Sequence, residues 1–183
     1  MRIISGTLKG KKLFSVKGLS LRPTSDRVRE SIFDILQGVL EGRRVLDLFA
    51  GTGAMGIEAL SRGALAAVFV ENHPSSLEAL KRNLAACRLE GDSEVLAHEA
   101  EEGLRFLEGR GESFEFIFLD PPYGKGLASK TVGKLAKSPL LNSETLVVAE
   151  HSPSEEVDEV FPLQRVDFRK YGSTRISFFR KAG

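Results

Sequence analysis

The sequence of 183 residues contains no tryptophan, two tyrosines and one cysteine, Cys87. A single cysteine excludes an internal disulfide and the zinc sites that need several thiolate ligands. No uninterrupted apolar run approaches the ~18 residues that a membrane-spanning helix needs. The opening segment MRIISGTLKGKK also lacks the apolar core of a signal peptide. We therefore expect a soluble, cytoplasmic protein with no membrane association, no disulfide and no metal.

The charge is almost balanced overall, at +1, but it is unevenly distributed. Residues 1–44 carry 10 basic and 4 acidic side chains, and residues 163–183 carry 6 and 1. Residues 45–162 reverse this balance, with 10 basic and 20 acidic side chains. Two basic ends joined to an acidic middle favour a surface that contacts phosphates, although solvated charges without a partner are the alternative.

From Arg43 onward, short β-rich segments alternate with helical ones. The strand-like segments are RRVLDLF, AAVFVE, SEVLAH, FEFIFLD and ETLVVAEH. This alternation predicts an α/β, Rossmann-like fold with a mostly parallel sheet and helices on both faces. Two last β-rich segments, around 164–169 and 174–180, have only KYGS between them, which predicts a C-terminal antiparallel hairpin.

The residues before this pattern are predicted to form an extension, residues 1–40, ahead of a catalytic domain, residues 41–183. We expect a hairpin over Arg2–Phe14 and then an amphipathic helix capped by Thr24 or Ser25. The apolar residues at helical spacing in that helix are Val28, Ile32, Ile35, Leu36 and Val39.

A glycine-rich turn follows the first predicted strand, where Gly51, Gly53 and Gly56 match the G-x-G-x-x-G pattern. By itself this pattern is typical of dinucleotide sites. Asp47 at the strand end argues against that interpretation, because a carboxylate repels the oxygens of a pyrophosphate. An acid there favours a positively charged ligand without phosphate, and S-adenosylmethionine has both an ammonium and a sulfonium group. The alternative is a turn that needs glycine only for its conformation.

Acidic residues after the second and third strands extend this predicted cofactor site. Glu71 is placed to accept hydrogen bonds from both ribose hydroxyls, as in nicotinamide and S-adenosylmethionine sites. Asn72 beside it is included in the site, although it also suits a helix cap. Glu99 and Ala100 stand where an acid and a backbone N–H can contact the adenine edge, and EAEE also suits a helix start.

The segment FIFLDPPYGK places Asp120, Pro121, Pro122 and Tyr123 directly after the fourth strand. There DPPY resembles the (D/N/S)PP(Y/F/W) motif of S-adenosylmethionine-dependent enzymes that methylate exocyclic amino groups. Further segments extend the resemblance along the chain: MRIISGTLKGKKL, LRPTSDRVRESIFDIL, VLDLFAGTGAMGIEALSRGA, VFVEN and YGSTRISFF. Together they are similar to the RsmD family, 16S (small-subunit) ribosomal RNA guanine-N2 methyltransferases.

The resemblance implies a class I methyltransferase that converts S-adenosylmethionine to S-adenosylhomocysteine without a metal. Its implied partner is 16S rRNA within the 30S subunit or an assembly intermediate, and we expect a monomer. Asp120 and the Pro121 carbonyl would accept the N–H bonds of the target amine, and the Tyr123 ring would stack on the flipped base, with its hydroxyl secondary. Two positions depart from the family pattern: Glu99, where Asp or Asn is usual, and His151.

The basic residues predicted to contact RNA phosphates lie mostly in the extension. They are Arg2, Lys9, Lys11, Arg22, Arg29 and, after the DPPY motif, Lys125.

Four other functions compete with this interpretation. A DNA or RNA adenine-N6 methyltransferase uses the same DPPY chemistry, and a protein-glutamine methyltransferase usually has Asn where Asp120 stands. A nicotinamide oxidoreductase explains the glycine turn and Glu71 but leaves Asp47 and DPPY unexplained. A non-catalytic RNA-binding module is the last alternative.

Overall fold

A computed structural model describes residues 1–16 and 26–182 of the chain. Its helices are α1 (Asp26–Ile35), α2 (Ala54–Ser61), α3 (Pro74–Cys87), α4 (Ala100–Gly109) and α5 (Leu127–Leu135). Its strands are β1 (Arg44–Asp47), β2 (Ala66–Val70), β3 (Ser93–Leu96), β4 (Phe114–Leu119), β5 (Leu141–His151), β6 (Leu163–Tyr171) and β7 (Thr174–Lys181). A single 3₁₀ turn, Glu90–Asp92, precedes β3.

The strands form one seven-stranded sheet in the order β3-β2-β1-β4-β5-β7-β6. Strands β1 to β5 are parallel, whereas β7 is antiparallel to both β5 and β6. The predicted α/β fold with a C-terminal hairpin is therefore confirmed. Only Gly172 and Ser173 link β6 to β7, and the positive φ of Gly172, 55°, suits so short a turn.

Both faces of the sheet are buried, which explains why its central strands are almost continuously apolar. Alternate residues of each strand enter two different cores. Val45, Phe118 and Val148 pack with α1, α2 and α3, whereas Leu46, Ile117 and Val147 pack with α4 and α5.

Residues 1–14 form an arm that folds back on itself in the manner of the predicted hairpin, with backbone hydrogen bonds from Ile3 N to Lys11 O and from Leu13 N to Met1 O but without regular strands. An isolated antiparallel bridge joins Arg2 to Lys12. The tip of the arm docks on the end of α2, where Thr7 N donates to Ser61 O over 2.8 Å. Gly6 allows this contact, because a Cβ atom there would lie 1.7 Å from the same carbonyl oxygen.

A buried carboxylate in α2, that of Glu58, holds this arm against the domain. It accepts hydrogen bonds from the backbone N–H groups of Ile4 at 2.8 Å and Ser5 at 3.0 Å. It also accepts one from Arg62 Nε at 2.8 Å, and Arg29 Nε lies 4.0 Å away. The arm, α1 and α2 are thus joined through one side chain.

The predicted apolar stripe of the first helix is partly wrong. The helix ends at Ile35, so helical spacing does not apply to the residues after it. Val39, beyond the helix, is 48% exposed, and Ile35, the last helical residue, is 40% exposed. The predicted caps, Thr24 and Ser25, lie outside the described residues. The residues that are buried are Val28, Ile32 and Leu36, together with Phe33 and Arg29.

Among the described residues, no helix has the length and apolar character needed to cross a membrane.

Replacing Glu58 with alanine should lower the free energy of unfolding by about 3–5 kcal/mol. The change removes the acceptor of two arm N–H groups and leaves the buried Arg29 without this carboxylate. Urea denaturation of the variant and the wild type measures the loss. Glu78→Ala, an exposed change on α3, is the matched control and should alter stability by less than about 0.5 kcal/mol. Similar losses in the two variants would contradict a linking role for Glu58.

Candidate active site

Acidic side chains follow or end each of the five parallel strands, and all five strands end at the same edge of the sheet. Strand register pairs Asp47 with Phe118, and Leu119 with Ala149, so the next residues along β4 and β5 are also neighbours. The acids are Asp47, Glu71, Glu99, Asp120 and Glu150. The first four are among the predicted site residues. Glu150 is not, although the acid near the end of ETLVVAEH is a visible signal.

The glycines of the turn after β1 serve different purposes. A Cβ atom on Gly53 would lie 2.4 Å from Leu80 Cδ1, and one on Gly56 would lie 2.3 Å from Phe69 Cε1. These two glycines are therefore favoured by close packing, and Gly53 also has a positive φ of 85°. Gly51 differs, because a Cβ atom there would meet no atom within 4 Å. Its missing side chain leaves space on the outside of the turn, where a ligand can approach the backbone.

Asp47 lies beneath this turn and is almost completely buried. Its Oδ2 atom accepts a hydrogen bond of 3.0 Å from the backbone N–H of Gly56, in the first turn of α2. Burial raises the pKa of Asp47 from 3.8 to about 7; the Gly56 hydrogen bond opposes this shift and Glu71 adds to it. The hydrogen bond between Gly56 and Asp47 fixes the glycine turn. Direct contact of Asp47 with a cofactor stays a prediction.

Glu71 connects the ends of β1 and β2. Its carboxylate accepts backbone hydrogen bonds from Gly51 at 2.7 Å, Asn72 at 2.9 Å and His73 at 2.7 Å. A carboxylate has about four acceptor positions, so about one is left for a ligand hydroxyl. Asn72 Nδ2 in turn donates to Glu99.

The structure thus joins four predicted cofactor residues, Gly51, Glu71, Asn72 and Glu99, into one chain of contacts. Ala100 is the first residue of α4, directly after Glu99. His73 makes no capping hydrogen bond through its side chain, and α3 begins at Pro74.

The DPPY segment leaves the end of β4 with Asp120 partly exposed and Pro121 buried. The Tyr123 hydroxyl donates to Glu150 Oε1 over 2.8 Å and lies 3.3 Å from Thr174 Oγ1. The secondary role expected for the hydroxyl stays a prediction. Desolvation raises the pKa of Tyr123 well above its usual range, and the nearby carboxylates of Glu150 and Asp120 add to the effect. Tyr123 is therefore a neutral donor that is anchored to β5.

A small pocket at the ends of β4 and β5 is lined by the side chains of Asp120 and Glu150. Its other lining residues are apolar: Ile32, Met55, Phe118, Leu119 and Val148. A polar amine placed here finds carboxylate acceptors against an apolar floor. Within residues 1–16 and 26–182, no group of His, Cys, Asp and Glu side chains is arranged to hold a metal ion.

Three of the predicted RNA-contacting residues, Arg2, Lys9 and Lys11, lie on the arm, whereas Lys125 follows the DPPY motif. Arg29 is a correction, because its side chain is fully buried and pairs with Asp26 at 3.1 Å, so it is not accessible to a phosphate. Arg22 lies outside the described residues. Arg2 is exposed on the arm, as is Lys125, which lies between two glycines with positive φ.

Lys9 and Lys11 lie on the arm, near its docking point. The arm contacts Ser61, the last residue of α2, whereas the glycine turn precedes the first residue of that helix. Eight helical residues span about 12 Å, so the tip of the arm is well separated from the turn. Contact of Lys9 or Lys11 with RNA stays a prediction.

Comparison with known proteins gives consistent matches. The family model described as conserved hypothetical protein 95 matches residues 1–180. YlbH of Bacillus subtilis is 38% identical over the full length of both chains. Ribosomal RNA small subunit methyltransferase D of Escherichia coli is 38% identical over 82% of this chain and 74% of its own.

Solved structures agree with this result. The structure of yhhF from Escherichia coli has a TM-score of 0.86 and 33% identity, and the match covers 100% of this chain and 98% of that one. SMU.776, solved in complex with SAH, has a TM-score of 0.66 and 16% identity over 84% of this chain and 48% of that one. At that identity, the second likeness shows the fold alone.

Asp47→Asn should change how stability depends on pH. The unfolded chain releases the Asp47 proton near pH 4 and the folded chain near pH 7, so the unfolded state binds fewer protons between these values. The free energy of unfolding of the wild type should therefore fall as pH rises from about 4 to 7, by up to about 4 kcal/mol from this group. Asparagine retains an acceptor for Gly56 but does not ionise, so the free energy of unfolding of the variant should lack this fall between pH 4 and 7.

Denaturant unfolding at pH 5 and pH 8 measures the difference between the two proteins. Asp34→Asn, an exposed change on α1, should give the same pH dependence as the wild type. A constant difference between Asp47→Asn and the wild type at the two pH values would show that Asp47 is ionised throughout.

Proposed function

Because the chain belongs to the RsmD family, whose model covers residues 1–180, we propose that it is a ribosomal RNA methyltransferase. It transfers a methyl group from S-adenosylmethionine to the exocyclic N2 amine of one guanine in 16S, small-subunit, ribosomal RNA. The observation that supports this best is the DPPY segment, where Asp120 lines the small pocket together with Glu150 and the Tyr123 hydroxyl donates to that Glu150. The guanine-N2 assignment rests on the family resemblance of the N-terminal RPT and RVRE segments.

The residues at the ends of β1, β2 and β3 suit S-adenosylmethionine. Gly51 leaves open space at the turn, Glu71 retains an acceptor position, and Glu99 and Ala100 lie where an adenine edge would be contacted. The acids at this edge favour a ligand that carries ammonium and sulfonium groups. The cofactor supplies an electrophilic methyl group and leaves as S-adenosylhomocysteine, the compound bound by the structural neighbour SMU.776. No metal is needed for this transfer.

Asp120 and Pro121 orient the amine that is methylated. The N2 lone pair of guanine is delocalised into the ring, so the nitrogen must be aligned and its N–H bonds must be engaged. The Asp120 carboxylate and the Pro121 carbonyl accept these two N–H groups and stabilise the positive charge that develops on nitrogen. The fixed φ of Pro121 holds its carbonyl in place. The proton is then lost to Asp120 or to solvent.

Tyr123 provides a stacking surface for the flipped base. Its hydroxyl bond to Glu150 and the nearby Thr174 fix the orientation of the ring before substrate arrives. A tyrosine whose pKa is raised keeps the proton that this bond needs. The tether therefore contributes to preorganisation.

The remaining chain supplies the substrate surface. Residues 1–40 cover the cofactor and contact RNA, whereas residues 41–183 carry the chemistry. The proposed phosphate contacts are Arg2, Lys9, Lys11 and Arg22 in residues 1–40, and Lys125 in residues 41–183. The substrate is a 30S subunit or assembly intermediate, and the protein acts as a cytoplasmic monomer.

Incubation with labelled S-adenosylmethionine and unmodified small-subunit particles should yield labelled N2-methylguanosine after nuclease digestion. Asp120→Ala should abolish incorporation while the affinity for S-adenosylmethionine changes little, because Asp120 engages the amine. Nucleoside chromatography and cofactor titration make the two measurements.

Different results would point to different functions. Labelled N6-methyladenosine would move the target to adenine, and no incorporation into any RNA would contradict methyl transfer. Full activity of Asp120→Ala would mean that DPPY is only a turn.

Substitutions should separate the contribution of the Tyr123 hydroxyl to activity from that of its ring. Tyr123→Phe loses one hydrogen bond, which corresponds to about 0.5–1.5 kcal/mol or roughly a 2–10-fold lower kcat/KM. Tyr123→Ala also loses base stacking of about 1–3 kcal/mol, so its kcat/KM should fall further. A Tyr123→Phe, Glu150→Ala double variant should lose less than the sum of the single losses, because both single changes break the same bond. Additive losses would mean that the bond has no catalytic consequence.

A further inference from the structure

A compact set of cations lies on the β6–β7 hairpin, at the edge of the sheet. The Arg165 guanidinium is 5.4 Å from the centre of the Phe168 ring, and Lys170 Nζ is 5.6 Å from it. Phe168 is 38% exposed on this edge strand. One aromatic ring thus holds two cations near each other on the same side of the sheet. We refer to Arg165, Lys170 and Arg175 as the hairpin cation cluster.

The register of the hairpin places like charges opposite each other. Lys170 on β6 pairs directly with Arg175 on β7. Like charges in facing positions of antiparallel strands destabilise the pair. No salt bridge to a carboxylate is formed by any of the three cations within the part of the chain that the structure describes, whereas neighbouring Arg169 bonds Asp167 at 2.8 Å. The cluster is therefore a local electrostatic cost that an anion would relieve.

The cluster is one residue pair along the hairpin from the proposed target site, and its side chains project from the face of the sheet that packs on α4 and α5. The residue pair after Lys170 and Arg175 is Tyr171 with Thr174, and Thr174 Oγ1 lies 3.3 Å from the Tyr123 hydroxyl. The Tyr171 hydroxyl is hydrogen-bonded to Ser31, which ties the hairpin to α1. Lys170 also lines a surface cleft between α1 and the hairpin, where Arg27 is a further cation. The other described lining residues of this cleft are Val28, Tyr171 and Gly172.

From this arrangement we propose that the hairpin cation cluster binds backbone phosphates of the RNA that flanks the target nucleotide. The inference rests on the proposed function, because it places this surface beside the base that Asp120 engages. Polyanionic RNA supplies closely spaced phosphates, which match cations held together without carboxylate partners. The predicted arm lysines do not serve this purpose as directly, because the tip of the arm docks at the far end of α2.

A double variant, Lys170→Gln with Arg175→Gln, tests the inference. Equilibrium binding to an unmodified small-subunit rRNA transcript should weaken about tenfold or more near 0.1 M salt. The slope of log Kd against log salt should fall by about 0.7 for each phosphate that the variant no longer neutralises. KM for RNA should rise similarly, whereas kcat and the affinity for S-adenosylmethionine should be unchanged. The melting temperature should change little, because removal of the like-charge pair offsets the loss of the hydrogen bonds from Arg175 to the carbonyls of Gly172 and Thr174.

Arg43→Gln with Lys81→Gln is the matched control. It also removes two exposed cations, but they lie before β1 and on α3, away from the hairpin edge. RNA affinity and salt slope that are equal in the hairpin and control variants would overturn the inference. The test is independent of methyl transfer. If the wild type transfers no methyl group, and the hairpin variant but not the control variant binds RNA more weakly than the wild type, the inference stands and the proposed function fails.

Discussion

The parallel alignment of β1 to β5 brings five acidic side chains to one edge of the sheet, and the site depends on this concentration of negative charge. Burial, to which the neighbouring carboxylates add, raises the pKa of Asp47 to about 7 and raises the pKa of Tyr123, so that Tyr123 remains a neutral donor. Ordinary ion pairs would neutralise the edge and block it. Instead, backbone N–H groups donate hydrogen bonds to the carboxyl groups of Glu71 and Asp47, so the edge keeps its preference for cations and for N–H donors.

The same edge is rigid because its supports are local and buried. Gly53 and Gly56 let the turn and α2 pack against Leu80 and Phe69, and Asp47 fixes the first turn of that helix. At the other end of α2, Glu58 and Ser61 hold the arm. One helix therefore couples the cofactor turn to the N-terminal extension, which explains how residues distant in sequence form a single frame around the site.

Sequence alone predicts the features that local pattern determines. Apolar runs located the parallel strands, glycines located the turn, and DPPY located the end of β4. Patterns of this kind carry no information about burial of a charged residue, so Arg29 was assigned to the surface although Glu58 holds it inside. The bond between Tyr123 and Glu150 joins residues 27 positions apart, and only the pairing of β4 with β5 brings them together. Helix length also matters, since Val39 is exposed beyond the end of α1 at Ile35.

An acidic edge that takes an RNA base presents an electrostatic conflict, because RNA phosphates are repelled by the carboxylates that attract the cofactor and the amine. At physiological salt the Debye length is about 8 Å, so charges near the rim act on the RNA more strongly than distant ones. Cations spread over the whole surface would not resolve this conflict. Cations placed at the hairpin, one residue pair beyond Thr174, draw the backbone to the rim while the base enters the acidic pocket. The uneven distribution of charge along the chain, basic at both ends and acidic between them, is the sequence-level form of this separation.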